Sequence, residues 1–190
     1  MDKRLFMLHK PFGILSQHQD EGARQGWGSL NLPFPRDVYS IGRLDADSEG
    51  LLLFTNDNRL KTTLLDPAFG HTRTYHVQVE GTPTPQQLGE LSRPMELRIK
   101  GKSFVTRGCK ARVIEPDWAP RIPPIRERKS VPDSWLEIAL EEGKNRQVRR
   151  MTAAVGLPTL RLIRVAMSRW ELGGLQAGQW TECPLQSHVT

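Results

Sequence analysis

The amino-acid sequence predicts an α+β fold in which a mixed, mostly antiparallel sheet is flanked by helices and loops. Three observations favour this class: segments with apolar residues at alternate positions, segments with apolar residues three or four positions apart, and no regular alternation of strand and helix. Of the 190 residues, 37% are hydrophobic, a share typical of a globular protein, and we expect a single domain over residues 1–190. No apolar run approaches the roughly 20 residues of a membrane-spanning helix, so we expect no membrane partner.

Residues 51–55, Leu-Leu-Leu-Phe-Thr, are a continuous apolar run that predicts a buried strand. A helix should follow this strand, because Asn56 or Asp57 can cap it and because Leu60 and Leu64 share one helical face.

Apolar and polar residues alternate between Tyr75 and Glu80 and predict a half-buried strand with Tyr75 on its apolar face. The next helix start is indicated by a cap-type Thr84, by Pro85 in the first turn and by Gln87 three residues after the cap.

Residues 97–114 contain β-branched residues and turn glycines at Gly101 and Gly108, which favours hairpin strands. Two other segments are predicted to be loops. Residues 12–35 are rich in glycine and proline and should hold a short element at most, and residues 116–132 contain five of the 14 prolines.

Residues 135–140 alternate as another strand, and Asn145 is the predicted cap of the helix that follows. The buried stripe of that helix is predicted to consist of Val148, Met151 and Val155. Residues 160–166 predict a final core strand, with Arg164 on the same face as Leu162.

The chain is basic, with 27 Lys and Arg against 21 Asp and Glu, a formal net charge of +6 and a pI of about 9.7. Residues 144–170 contain seven positive side chains and no acid, and residues 121–129 hold a second positive group. Such clustering indicates an anionic partner such as nucleic acid. The two cysteines, Cys109 and Cys183, lack the neighbours of a zinc site or a disulfide framework.

Three acids at alternate positions, Asp45, Asp47 and Glu49, precede the first apolar run and suggest a metal site. A calcium loop is disfavoured, because its twelfth position would be Asn56 instead of a bidentate Glu. A magnesium-dependent nuclease would need further carboxylates or histidines from elsewhere, and the sequence leaves this interpretation open. The simplest interpretation is a turn in which Asp45 or Ser48 caps backbone groups.

Residues 42–57, Gly-Arg-Leu-Asp-x-Asp-Ser-Glu-Gly-Leu-Leu-Leu-x-Thr-Asn-Asp, resemble the active-site motif of the pseudouridine synthases that modify small- and large-subunit ribosomal RNA. Further blocks match this family in order and lie at residues 10–16, 73–77, 142–151 and 160–164. The loop at 123–130 is similar to that of a subgroup acting on large-subunit RNA. The resemblance implies the catalytic fold of that family. Because the first block starts at residue 10, we expect no S4 RNA-binding domain before it.

The resemblance also implies the chemistry. The family isomerises uridine in place and uses no cofactor and no metal. Asp45 would be the essential carboxylate, which either attacks C1′ or assists removal of the C2′ proton. Arg149 would pair with Asp45, although a phosphate contact is the alternative for this arginine. Tyr75 would stack on the uracil and remove the C5 proton, with an ordinary core tyrosine as the alternative. Leu162 would pack on the opposite ring face or belong to the core.

A uridine in folded RNA must be flipped out to reach such a carboxylate, and the position of Arg43 two residues before Asp45 suggests that it fills the vacated stack. Other residues are predicted to contact RNA, and for Arg164 an internal pairing is the alternative. They are Lys10, Lys144, Asn145, Arg146, Arg150, Arg161, Arg164, Arg126, Arg128 and Lys129.

We therefore expect a cytoplasmic, monomeric enzyme whose partner is large-subunit ribosomal RNA. Two other classes remain open at this stage. A non-catalytic RNA-binding module would explain the charge, and a metal-dependent nuclease would explain the charge together with the acidic loop.

Overall fold

The computed structural model describes residues 2–99, 101–125, 128 and 130–184. The chain divides into two compact units. Unit 1 comprises Met1–His71 and Arg164–Thr190, and unit 2 comprises Thr72–Ile163. The single domain expected over residues 1–190 stays a prediction.

Eleven β-strands and three α-helices lie within the described residues, which confirms the α+β class. The strands are β1 (Leu5–Lys10), β2 (Tyr39–Ile41), β3 (Glu49–Thr55), β4 (Arg73–Glu80), β5 (Glu96–Ile99), β6 (Lys102–Val105), β7 (Lys110–Ile114), β8 (Asp133–Leu140), β9 (Thr159–Met167), β10 (Trp170–Glu171) and β11 (Trp180–Cys183). The helices are α1 (Asn58–Leu65), α2 (Pro85–Leu91) and α3 (Gln147–Ala154), and short 3-10 helices lie at Trp27–Leu30 and Pro67–Phe69. No helix in the described part of the chain combines the length and the apolar character that a bilayer crossing demands.

In unit 1 the strand order is β11-β1-β3, β2 also pairs with β3, and all of these pairs are antiparallel. Every residue of β3 is buried, which confirms the strand predicted from the apolar run. Helix α1 begins at one of the two predicted caps, because the Asp57 side chain accepts hydrogen bonds from the N–H groups of Arg59 and Leu60. Leu60 and Leu64 are buried as predicted.

Aromatic rings anchor residues 12–35 on the sheet of unit 1. The Phe34 ring lies 4.5 Å from Phe6 of β1 and 5.1 Å from Phe54 of β3, measured between ring centroids. Trp27 lies 5.1 Å from Phe54. Aromatic contacts at these distances contribute beyond the area they bury, so this irregular segment has a fixed place.

In unit 2 the strands follow the order β4-β8-β7, again antiparallel, with Tyr75 opposite Ile138. Burial alternates along β4 as the sequence predicts. Helix α2 begins with the predicted capping box, in which Thr84 and Gln87 each bond the other's backbone N–H group. The buried stripe predicted for α3 is also confirmed.

Several features of the fold differ from the predictions, and the short strands β2, β10 and β11 were not predicted. β1 was not predicted, because it is buried on both faces and its residues therefore do not alternate. Only β5 and β6 form a hairpin, whereas β7 pairs with β8. The cap of α3 is Arg146, in the left-handed conformation with φ 53°, and not Asn145.

Lys10 is fully buried at the end of β1. Its Nζ atom donates hydrogen bonds to the carbonyl oxygens of Ile14 at 2.6 Å and Pro11 at 3.0 Å. The structure thus corrects the predicted RNA contact of Lys10, because a buried ammonium bonded to backbone carbonyls does not present itself to a phosphate. Its role is to hold the turn at residues 11–14.

Gly50 of β3 allows an unusually close approach of two backbone segments in unit 1. Its φ is +102°, and a Cβ atom there would lie 2.3 Å from the carbonyl oxygen and 2.6 Å from the backbone nitrogen of Arg164. Glycine is therefore needed at this position both for its conformation and for space.

The buried ammonium predicts a pH-dependent stability. Burial lowers the pKa of Lys10 from 10.5 to about 8, although the acids Glu49, Asp47 and Asp45 act to raise it. Between these two values the unfolded state binds more protons than the folded state, so this group makes stability rise with pH. We expect the free energy of unfolding of the wild type, relative to Lys10→Met, to increase over that window by on the order of 3 kcal/mol. Urea denaturation at several pH values measures the difference, and a constant difference would contradict the assignment.

Substitution of Gly50 gives a second test of the fold. We expect Gly50→Ala to lower the free energy of unfolding by more than about 2 kcal/mol, because the new methyl group collides with backbone. Gly89 of α2 is the matched control, since nothing lies within 4 Å of a Cβ built there. Gly89→Ala should raise stability by about 0.5–1 kcal/mol. Chemical denaturation measures the free energy of unfolding of both variants. Equal stability of Gly50→Ala and the wild type would contradict the close approach of Gly50 to the Arg164 backbone.

Candidate active site

Asp45 lies in unit 1, in the loop that connects β2 to β3. This loop turns tightly, because the N–H group of Ser48 donates to the carbonyl oxygen of Asp45 at 3.0 Å. The following residue is held from outside the loop, where the N–H group of Gly13 donates to the carbonyl oxygen of Ala46 at 2.7 Å. The turn thus places the carboxylate of Asp45 on a backbone that is fixed on its C-terminal side.

Ser16 fixes the same loop on the N-terminal side of Asp45. The buried Ser16 hydroxyl accepts a hydrogen bond from the N–H group of Leu44 and donates one to its carbonyl oxygen, both at 2.8 Å. The carbonyl oxygen of Ser16 accepts in turn from the Ser40 hydroxyl at 3.2 Å. Since Leu44 is adjacent to both Arg43 and Asp45, this clamp sets the backbone from which both side chains extend.

Charged groups are buried beside this loop. Glu49 is 2% exposed and Arg164 is 3% exposed, and the Nε atom of Arg164 donates to the carbonyl oxygen of Leu51 at 2.8 Å. The predicted RNA contact of Arg164 is therefore corrected to the internal pairing that was its alternative. Asp45 and Asp47 are half-buried, and Arg43 is exposed. The acids, Lys10 and Arg164 thus lie in one charged cluster of unit 1.

Unit 2 contains the other residues of the predicted catalytic set. Tyr75 is 9% exposed on the apolar face of β4, and Leu162 of β9 is 6% exposed. Arg149 is half-buried on α3, where its guanidinium donates to the carbonyl oxygen of Thr159 at 3.5 Å. The structure therefore places Asp45 in unit 1 and Tyr75, Arg149 and Leu162 in unit 2.

The residues before α3 are organised by Gln147, which the sequence analysis did not single out. Its buried side-chain carbonyl accepts from the N–H group of Lys144 at 3.0 Å, and its own N–H group donates to the carbonyl oxygen of Lys144 at 3.1 Å. Its amide nitrogen donates to Glu142 at 2.5 Å. No capping-box signal pointed to this role, because Lys144 has no side-chain hydroxyl and Gln147 is the first residue of α3. Ser16 carried no signal of its own either.

The residues predicted to bind RNA differ in their environments. Lys144, Asn145 and Arg146 are exposed, and Arg150 is half-buried with its guanidinium donating to the carbonyl oxygens of Arg98 and Asn145.

Arg161 and Arg128 have partners within unit 2. Arg161 is 7% exposed and donates to the carbonyl oxygen of Ala119 at 2.8 Å, which corrects its predicted surface contact with RNA. Its role is to hold the segment that includes Trp118, whose Nε1 donates to Nδ1 of His76 at 3.0 Å. Arg128 is exposed and forms an ion pair with Glu80 at 2.9 Å. The predictions for Arg126 and Lys129 lie outside the described residues.

The nuclease alternative requires side chains that are placed together to hold a metal ion. Over residues 2–99, 101–125, 128 and 130–184, no group of three or more His, Cys, Asp or Glu side chains is placed to hold a metal ion.

Comparison with known proteins gives consistent results. The family described as RNA pseudouridylate synthase matches residues 4–154. The chain is 49% identical over 178 residues to ribosomal large subunit pseudouridine synthase E of Xanthomonas campestris, with 93% of each chain covered. It is 44% identical to the protein of the same name from Vibrio parahaemolyticus, covering 97% of this chain and 75% of that protein. A Bacillus subtilis relative named ribosomal large subunit pseudouridine synthase B is 34% identical over 93% of this chain and 66% of that protein.

Solved structures support the fold. A crystal structure described as a pseudouridylate synthase superposes with a TM-score of 0.79 at 22% identity, covering 96% of this chain and 71% of that one. The family match spans far more than half of the chain, and the relatives exceed 30% identity over nearly all of it. This chain, an isomerase, therefore belongs to the RNA pseudouridylate synthase family.

Proposed function

We propose that this protein converts a specific uridine of large-subunit ribosomal RNA to pseudouridine, without a cofactor and with Asp45 as the essential carboxylate. The observation that carries the proposal is the 49% identity over 93% of both chains to a relative named for that activity. The Asp45 loop supports it, because hydrogen bonds from Gly13 and Ser16 fix the backbone on both sides of this carboxylate.

The reaction exchanges one bond for another. The N1–C1′ bond of uridine breaks, the uracil turns, and a C5–C1′ bond forms, while the proton lost from C5 is balanced by the proton gained at N1. Asp45 either attacks C1′ and forms a covalent ester, or accepts the C2′ proton. Both routes need the ionised carboxylate. Lys10 lies close enough to Asp45 for their charges to interact, since Asp45 acts to raise the pKa of Lys10.

The family pattern extends the proposal to residues of unit 2. Tyr75 stacks on the uracil and takes part in removal of the C5 proton, and Arg149 supplies a positive charge to Asp45. Leu162 packs on the base. Their burial or half-burial agrees with residues that meet a base and not bulk solvent.

The substrate shapes the remaining roles. A paired or stacked uridine must leave its helix, at a cost of a few kcal/mol, and the exposed Arg43 fills the gap. Lys144, Asn145 and Arg146 are exposed and contact phosphates, as do Arg126, Arg128, Lys129 and Arg150. The protein acts as a cytoplasmic monomer, and no metal takes part.

Substitution of the carboxylate is the direct test of this function. We expect Asp45→Asn to keep the fold and RNA affinity within about threefold, and to lower the rate of pseudouridine formation by about 10³-fold or more, because the reacting group is lost. Asp47→Asn is the matched control in the same loop, with the same change in charge, and should lose less than about tenfold. A single-turnover assay on unmodified large-subunit ribosomal RNA measures both variants.

The assay also separates the alternatives. Pseudouridine formation that continues in EDTA would exclude the nuclease. A binding module would make no pseudouridine, and a wild-type level of product from Asp45→Asn would defeat the proposed mechanism.

Removal of the Ser16 hydroxyl tests how the loop positions Asp45. We expect Ser16→Ala to lower kcat by about 10- to 100-fold with little change in KM, because the loop backbone loses both hydrogen bonds to Leu44. Ser16→Thr keeps a hydroxyl and should recover part of the rate. Ser40→Ala removes only the bond to the Ser16 carbonyl and should have the smaller effect. Unchanged kcat in a folded Ser16→Ala protein would show that the clamp does not position the carboxylate.

A further inference from the structure

A third cationic segment lies outside those at residues 144–170 and 121–129. Residues 93–112 contain seven Lys and Arg and a single acid. They include the β5–β6 hairpin and its flanks, where four of the cations, Arg93, Arg98, Lys102 and Arg107, are exposed. None of these four forms an ion pair with any residue that the structure describes. Four exposed positive charges without acidic partners are available to an anionic partner from outside the chain.

The hairpin projects from a rigid base. Buried Thr106 pairs with Met95 at its root, since the N–H group of Thr106 donates to Met95 and its hydroxyl accepts from the N–H group of Met95, at 2.9 and 3.0 Å. At Gly108, with φ +84°, an added Cβ atom would lie 2.5 Å from the carbonyl oxygen of Ser92. The root of the hairpin is therefore held by fixed backbone contacts.

The strand register shows which hairpin cation lies on the side of the residues before α3. Leu97 lies opposite Phe104, and Ile99 opposite Lys102. Directly opposed residues share a face and neighbours along a strand alternate, so Lys102 lies on the side of Phe104, with Arg98 on the other side. The Nζ atom of Lys144 lies 5.1 Å from the centre of the Phe104 ring. Lys102, Phe104 and Lys144 form what we call the hairpin stripe.

Further contacts attach the hairpin to the residues before and within α3. The guanidinium of Arg150 donates to the carbonyl oxygen of Arg98 at 2.9 Å, and the N–H group of Arg107 donates to Glu142 at 2.9 Å. Gln147 holds Lys144 in turn. The hairpin stripe is thus connected through a few fixed contacts to the helix that carries Arg149.

We propose that the hairpin stripe binds the sugar-phosphate backbone of the RNA substrate. The inference rests on the proposed function, because it takes RNA as the substrate. Lys102 and Lys144 each neutralise a phosphate on either side of Phe104, a combination of positive charge and aromatic surface that suits a nucleic-acid strand. Phosphate contacts of this kind position the substrate and carry no sequence information. The hairpin stripe aligns the RNA strand beside the α3 segment.

The test measures RNA binding as a function of salt. The probe is an unmodified in vitro transcript of large-subunit ribosomal RNA, and the variant is Lys102→Gln with Lys144→Gln. Loss of two phosphate contacts should weaken binding about tenfold or more and reduce the slope of log K against log salt concentration by about 1.4 to 1.8. The matched control is Arg24→Gln with Arg59→Gln in unit 1, two exposed cations with the same total charge change. Its affinity should stay within about twofold and its slope should not change.

A second comparison uses the two faces of the hairpin. Lys102→Gln should weaken binding more than Arg98→Gln, since only Lys102 belongs to the hairpin stripe. Equal affinities and salt slopes for the double variant and its control would overturn the proposal. Normal binding of the bare transcript with reduced activity only on protein-containing ribosomal particles would also overturn it, in favour of a protein partner.

Pseudouridine formation by the wild type on the same transcript is scored separately. Absence of pseudouridine would contradict the proposed function. The affinity comparison alone shows whether the hairpin stripe binds RNA.

Discussion

A buried polar group must find a hydrogen-bond partner inside the protein, and in unit 1 this constraint shapes the loop that carries Asp45. Ser16 satisfies both its donor and its acceptor capacity on Leu44. Gly13 bonds Ala46, two residues further along. Because an unpaired buried group would cost about 1–3 kcal/mol, the loop has little freedom to adopt another conformation. The position of the carboxylate thus follows from hydrogen bonds made by its neighbours in the chain.

The same part of unit 1 contains charges that a folded interior rarely tolerates. Lys10, Glu49 and Arg164 are each less than 5% exposed. Burial lowers the pKa of Lys10, and the acids beside it offset only part of this effect. Such a cluster is an expensive way to build a core, and it is characteristic of sites where charge serves a reaction. Gly50 has a related purpose, since it lets the backbone of Arg164 approach β3 closely.

Unit 2 shows a comparable arrangement around α3. Gln147 orders the residues before the helix, so that Lys144 and Arg146 are exposed on a fixed backbone. The β5–β6 hairpin is attached to this segment through Arg150 and Phe104. Two cationic stretches that are separated in the sequence therefore meet on one surface. The tertiary contacts thus combine two separate runs of positive charge into one cationic surface.

Local patterns in the sequence determined much of this protein. The apolar run at 51–55, the alternation from Tyr75, the Asp57 cap and the capping box at Thr84 all appear in the structure, because each depends on residues only a few positions apart. The sequence also indicated the family, because several of its motifs occur in the expected order along the chain. Only the tertiary structure decided that Lys10, Arg161 and Arg164 are interior groups, that Ser16 clamps Leu44, and that Lys144 lies over the ring of Phe104. These facts depend on burial and on contacts between distant segments, which the residue type alone does not encode. A lysine or arginine is the same residue on a surface and in a core. Only its surroundings determine whether its charge binds RNA or a carbonyl oxygen.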